Sequence, residues 1–106
     1  MSALEAIFKA LADPTRRAIF ERLCRGGEQN VRLLTDHAAV SQPAVSKHLG
    51  ALKLAGLVRD RREGRESHYS VQPQCLTPLF DWMSLYGAVS RDRLDRLEDL
   101  LHRIDS

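Results

Sequence analysis

No run of apolar residues in this chain approaches the ~20 needed to cross a bilayer. Nothing at the N-terminus has the charged, apolar and cleavage segments of a secretory leader. A cytoplasmic protein with no membrane partner is therefore expected. Cysteine is scarce: only Cys24 and Cys75 occur, too few for a disulfide framework in a reducing compartment. Neither sign of charge dominates, with 16 Lys and Arg against 14 Asp and Glu and a net charge of +2, so what matters is how the charge is distributed. There is no Ser/His/Asp or Cys/His grouping and no glycine loop able to cradle a phosphate, which points away from an enzyme. The His, Cys and carboxylate residues form no cluster that would supply the roughly four ligands of a tight zinc site, and no cofactor is expected. Repeats and low-complexity segments are also missing. A chain of 106 residues with 43% hydrophobic and 28% charged content is then one ordinary domain, residues 1–106, with a modest core.

The most informative stretch is residues 31–58. A helix opens at Ser41, whose hydroxyl caps free amides, with Pro43 tolerated in the first turn. Val45, Leu49 and Leu52 recur at helical spacing and form one buried stripe. Gln42, Pro43, Ser46, Lys47 and Gly50 spread over the opposite face, which is short, polar and cationic at one point. Gly56 supplies a left-handed residue after the last turn. Any amphipathic helix has a polar face, so this alone is most simply a solvated surface. The preceding segment changes that. Val31, Leu33, Leu34 and Ala38 indicate a short helix, and residues 37–41 leave room for only a tight turn. Together they form a helix-turn-helix over about 31–56. The polar face suits a DNA major groove, where Gln bonds to adenine edges, hydroxyls reach bases or phosphates, and Lys neutralises phosphate.

The flanks support the same design. Leu4, Ile7, Phe8 and Leu11 give a first amphipathic helix. Asp13 caps a second, with Pro14 at its first position, Ile19, Phe20 and Leu23 buried, and Gly26–Gly27 as its stop. Arg16, Arg17, Arg22 and Arg25 read most simply as a solvated face, with contact to DNA phosphate as the alternative. Residues 57–71 read as a β-hairpin whose turn carries Glu63–Gly64, with Arg61, Arg62 and Arg65 at or near the tip and Glu63 and Glu66 offsetting much of their charge. After Pro73, a helix starting at Thr77–Pro78 carries Phe80, Met83, Gly87, Ser90, Leu94, Leu97, Leu101 and Ile104 at steps of three and four. This is a heptad seam over about 77–104. Either the helix breaks at Gly87–Ser90, with Ser90 capping a new segment, or the small residues admit a partner helix. So long a seam has little left in its own chain to bury against, and packing on a second copy is expected.

Ala12-Asp13-Pro14-Thr15-Arg16-Arg17, Ser41-Gln42-Pro43-Ala44-Val45-Ser46-Lys47-His48-Leu49, Leu54-Ala55-Gly56-Leu57-Val58, and Arg62-Glu63-Gly64-Arg65 ahead of Tyr69 occur in order. The sequence over about 4–69 thereby resembles the ArsR/SmtB family of bacterial winged helix-turn-helix repressors; the last third is similar only in general character. The resemblance implies a mainly α fold with a small β-hairpin as the wing (about 57–71), dimerising through its first and last helices. It also implies a homodimeric repressor on a palindromic double-stranded DNA operator, in some cases that of its own gene. The implied DNA contacts are Ser41, Gln42, Pro43, Ser46, Lys47 and His48 with the wing residues Arg61, Arg62 and Arg65. The implied interface comprises Leu4, Ile7, Phe8, Phe80, Met83, Leu94, Leu97, Leu101 and Ile104. Where metal-sensing members place cysteines, Val31–His37 has none, and His102 is the one histidine after Thr77, so no metal is expected. Some members use two thiols, but Cys24 and Cys75 do not match that arrangement. A thiol-redox-responsive repressor stays as an alternative, as does a winged-helix module that binds protein. Against the latter stand Gln42, Ser46, Lys47 and the wing arginines. The inducing signal is left open.

Overall fold

The computed structural model describes residues 2–87 and 91–105, and the side chains of residues 91–94 and 105 lie outside that description. The expected Ser90 cap and the Leu94 seam position therefore fall outside the described residues. In chain order the elements are α1 (Ala3–Ala12), α2 (Pro14–Gly26), β1 (Gln29–Asn30), α3 (Val31–Asp36), α4 (Gln42–Leu54), β2 (Val58–Glu63), β3 (Glu66–Val71), α5 (Thr77–Leu85) and α6 (Arg91–Asp105). The fold is mainly helical with a small antiparallel sheet, as expected. Among the described residues no helix is long and apolar enough to cross a membrane.

Asp13 makes the corner between the first two helices. It is the extended residue after α1, and its carboxylate accepts the Arg16 amide at 2.9 Å to cap α2, with Pro14 following. That backbone hydrogen bond holds the Asp13 carboxyl below its ordinary pKa. The core gathers Ile7 and Ala10 of α1, Ile19, Phe20 and Leu23 of α2, Leu34 of α3, Val45, Leu49 and Leu52 of α4, and Leu57 and Val58 at the start of the hairpin. Each fully buried Leu is worth roughly 1.5–3 kcal/mol of transfer free energy, so these positions fix α4 against α2 and the sheet. Leu33 of α3 is 43% exposed.

The sheet order is β1-β3-β2, all antiparallel. Strand β1, which the sequence did not reveal, pairs Gln29 with Tyr69 and Asn30 with His68. Gln29 is buried but satisfied, its amide donating to the Arg22 carbonyl at 3.2 Å and the Gly27 carbonyl at 3.4 Å. Asn30 caps α3 by accepting the Leu33 amide at 2.8 Å. In the hairpin, Glu63 opposes Glu66, which leaves Gly64–Arg65 as a two-residue turn. Gly64 has φ 63 and Arg65 is not in the positive-φ region, the pattern of a type II′ turn, where only the first central residue is left-handed. Strand alternation puts Val58, Asp60, Arg62, Ser67, Tyr69 and Val71 on one face and Arg59, Arg61, Glu63, Glu66, His68 and Ser70 on the other. Because Val58, Tyr69 and Val71 pack on the core, the first face looks toward the helices.

Of the two alternatives for the C-terminal third, the structure has the break: α5 ends at Leu85, followed by Gly87 at φ 67, and α6 starts at Arg91. It departs from the expected seam in finding a surface in its own chain, since α6 packs along α2. Ile7 and Phe80, expected at the dimer interface, are only 2% and 7% exposed within the single subunit. They belong to its own packing because their helix faces turn inward. Leu4, Met83 and Leu101 are half-buried, while Phe8, Leu97 and Ile104 remain exposed.

Candidate nucleic-acid interface

Helix α4 is built from its caps inward. Ser41 is extended (φ −71, ψ 163) and its hydroxyl accepts the Ala44 amide at 3.4 Å, with Pro43 in the first turn. At the other end the Gly56 amide donates to the Lys53 carbonyl and the Leu57 amide to the Leu52 carbonyl, both at 3.0 Å, with Gly56 at φ 79. This is the Schellman arrangement, and its accompanying apolar contact positions, Leu52 and Leu57, are both fully buried. The helix is thereby fixed in length and in rotation. Val45, Leu49 and Leu52 are 0% exposed, whereas Ser41, Gln42, Pro43, Ser46, Lys47 and Gly50 all face outward. An ion pair of 2.7 Å from Lys53 to Asp60 ties the end of α4 to β2, and the hydrogen bond from Lys53 holds the Asp60 carboxyl below its ordinary range.

His48 has a different job from its neighbours. It is half-buried, and its Nδ1 accepts a hydrogen bond from Arg16 Nε at 3.3 Å. This hydrogen bond braces the ring from α2. Arg16 is therefore engaged with α4 and is not simply part of a solvated face. Arg17 is likewise occupied, donating to the Leu11 carbonyl at 2.9 Å.

The three wing arginines separate by face. Arg61 points away from the helices, donating to Glu28 at 2.7 Å and to Glu63 at 3.1 Å. These bonds hold Arg61 more firmly protonated and pull the Glu28 carboxyl below its ordinary pKa. In the chain by itself its charge is matched by two carboxylates, and it braces the segment that follows α2. Arg62 lies on the face of Val58, Asp60 and Tyr69, and Asp60 on that face meets Lys53 of α4. Arg62 is thus on the α4 side and farther out along the strand, and Arg65 sits in the turn. Among the described residues, Lys47, Arg62 and Arg65 make no ion pair within 4.0 Å.

His68 Nε2 lies 3.7 Å from both Glu63 and Glu66, and His37 Nδ1 is 3.0 Å from the Leu33 carbonyl. Among the described residues no three His, Cys, Asp or Glu side chains are grouped to hold a metal ion. Cys24 and Cys75 are both half-buried and not disulfide-bonded, and burial pushes the Cys75 thiol up to about 11. What sequence reasoning missed is an aromatic cluster. Trp82 meets Phe8 of α1 edge-on at 5.5 Å between ring centres and Tyr86 at 5.3 Å. Leu85 beside them is 80% exposed and Tyr86 71%. The i, i+4 spacing of Trp82 and Tyr86 was the available signal.

Comparison with known proteins places this geometry. Residues 13–60 match the family model described as bacterial regulatory protein, arsR family. The transcriptional repressor SdpR of Bacillus subtilis (strain 168) is 38% identical over 77 residues, covering 73% of this chain and 84% of that protein. The match spans only about half the length of two other relatives, an arsenic resistance regulator (53%) and a probable mercury resistance repressor (50%). A crystal structure of an ArsR family transcriptional regulator superposes with TM-score 0.75 at 32% identity, covering 81% of this chain and 93% of that one. The solution structure of a homodimeric winged helix-turn-helix DNA-binding domain from Mycobacterium bovis, a possible ArsR-family regulator, gives TM-score 0.65 at 29% identity, covering 80% and 78%.

Proposed function

The chain belongs to the ArsR family of bacterial regulatory proteins, and from that premise we propose that it is a homodimeric, DNA-binding transcriptional repressor that reads a palindromic operator with α4. One observation carries the finer assignment. The outward face of α4 holds Gln42, Ser46 and Lys47, and the wing adds Arg62 on the same side of the sheet and Arg65 at its tip. A polar face next to uncommitted cations fits a groove flanked by phosphates. Gln42 and Ser46 address base edges; Lys47, Arg62 and Arg65 address phosphates; His48 and Arg16 hold the helix in place. The protein-binding alternative calls for an apolar or acidic face at this position, which α4 does not present. No catalytic role is assigned.

Dimerisation is assigned to α1 and α5, where Phe8, Trp82, Leu85 and Tyr86 form an exposed apolar surface, together with Leu97 and Ile104 of α6. A two-fold dimer sets its reading helices one turn of DNA apart, about 34 Å, which makes the operator an imperfect palindrome. The test is fluorescence anisotropy on the DNA upstream of the chain's own gene against scrambled DNA. Gln42→Ala loses about 1–3 kcal/mol on the specific site and relaxes one position per half-site. Equal losses on specific and scrambled DNA would show that Gln42 only positions the protein.

A further inference from the structure

A cavity of about 260 Å³ opens between α2, the linker from β3 to α5, α5 and α6. Phe20 and Cys24 of α2, Cys75 and Leu76 of the linker, Phe80 of α5 and Leu101 of α6 supply its apolar wall. We propose that this cavity is an effector site for a compact, uncharged organic molecule of one or two rings, whose binding changes the affinity for DNA. The size follows from the volume: an apolar cavity of roughly 150 Å³ accommodates benzene, while pockets for drug-sized ligands begin at roughly 300 Å³.

The absence of charge follows from the lining. Among the described residues no Lys or Arg side chain lines the cavity, and the described ionisable lip residues on α6 are Glu98 and His102. An anion would lose its water beside a carboxylate and gain no fixed cation. Burial pushes the Cys75 thiol up to about 11, and a thiol that stays protonated serves as a small apolar wall and not as a nucleophile. The linker is shaped for the purpose. Gln74, also in the lining, has φ 58, the only non-glycine residue in that region among those described. Such strain is held in place by its surroundings: the Gln72 amide donates to the Leu57 carbonyl at 2.9 Å, and the Cys75 amide to the Gln72 carbonyl at 3.2 Å.

The cavity also touches the parts that must move if DNA binding is to change. Its α2 wall belongs to the helix whose Arg16 braces His48 of α4. Val71 in its lining ends the wing strand β3. Phe80 and Thr77 are on α5, which carries Trp82 and Leu85 of the proposed dimer face. An occupant therefore has direct contact with the support of the reading helix, the root of the wing and the dimer helix.

The coupling rests on the DNA-binding assignment, so binding and DNA release are read separately on the full chain. Backbone amide NMR signals of residues 72–76 are followed while benzyl alcohol, indole or benzoate is titrated, and operator affinity is then measured with and without each probe. Benzyl alcohol and indole are expected to shift these signals saturably and to change operator affinity by about fivefold or more; benzoate is expected to do neither. Leu101→Trp, at a half-buried position on the lip, loses both responses when each is read against the variant's own probe-free operator affinity. Cys75→Met fills the cavity from the linker and reports the same if the tryptophan variant fails to fold. Four results would overturn the proposal: no saturable shift with either neutral probe, an equal shift with benzoate, responses that survive the filling variants, or binding that leaves operator affinity unchanged. Failure of the probe-free protein to bind any operator strikes the DNA-binding assignment instead, and the NMR arm still tests the cavity.

Discussion

Arg61 and Arg62 are adjacent, identical in type and both exposed, yet they lie on opposite faces of the hairpin, which makes them a sharp test of the proposed interface. Arg62 is on the α4 side of the hairpin, without an ion pair among the described residues, while Arg61 is matched by Glu28 and Glu63 on the reverse side. If Arg62 contacts one phosphate per subunit, Arg62→Ala removes two contacts per dimer. Counterion release contributes a slope of about 0.9 per phosphate in log affinity against log salt, so the slope flattens by about 1.8. Extrapolated from 1 M salt, that is a loss of about 60-fold at 0.1 M and about 20-fold at 0.2 M, the same on specific and random DNA. Arg62→Lys keeps the charge and should keep the slope. Arg61→Ala should leave the slope where it was and instead loosen the hairpin against the segment after α2. The assay is anisotropy at four or five salt concentrations, with thermal unfolding of each variant alongside. A slope change in Arg61→Ala as large as that in Arg62→Ala would refute the division of the wing by face.

The other expectations are briefer. Tyr86→Asp or Leu97→Asp places a charge in the proposed interface and should shift sedimentation toward monomer with loss of operator binding, whereas Phe80→Ala should lower the unfolding temperature because Phe80 packs within one subunit; a dimer unchanged in both Asp variants would move the interface elsewhere. Glu28 and Asp60 sit below their ordinary pKa values because Arg61 and Lys53 hydrogen-bond their ionised forms. Their stabilisation is therefore present above the unfolded values of 4.5 and 3.8 and is lost as pH falls through the lower folded ones. Amide exchange in β2 should stay protected between about pH 7 and 5 and rise below about pH 4, and protection unchanged at pH 3 would count against these pairs. Stoichiometric zinc, cobalt or cadmium should neither bind tightly nor release operator DNA, since α3 has no cysteine and no metal-ligand group forms among the described residues; a calorimetric zinc titration with sub-micromolar affinity and matching DNA release would be decisive against this.

What could be read from the sequence is what neighbouring residues decide among themselves. Ser41, the Val45–Leu49–Leu52 stripe and Gly56 lie within one helix and its cap, so its ends, buried side and polar face were all legible. Asp13–Pro14 likewise announced the corner into α2. β1 was not legible, because two residues carry no period and Gln29–Asn30 are a strand only by pairing with Tyr69 and His68. Helical spacing grouped Ile7 with Phe8, but only tertiary packing decides that Ile7 turns inward while Phe8 stays 46% exposed against Trp82. The same limit governs charge. Counting cations treats Arg61, Arg62 and Arg65 alike, whereas Glu28 reaches Arg61 from 33 positions away. Which cations are paired is a property of the folded state, and here Arg61 is matched by carboxylates while Arg62 and Arg65 make no ion pair among the described residues. The predicted difference between two adjacent arginines is therefore a test of the fold as much as of the function, since it disappears if the hairpin register slips by a single residue and exchanges its faces.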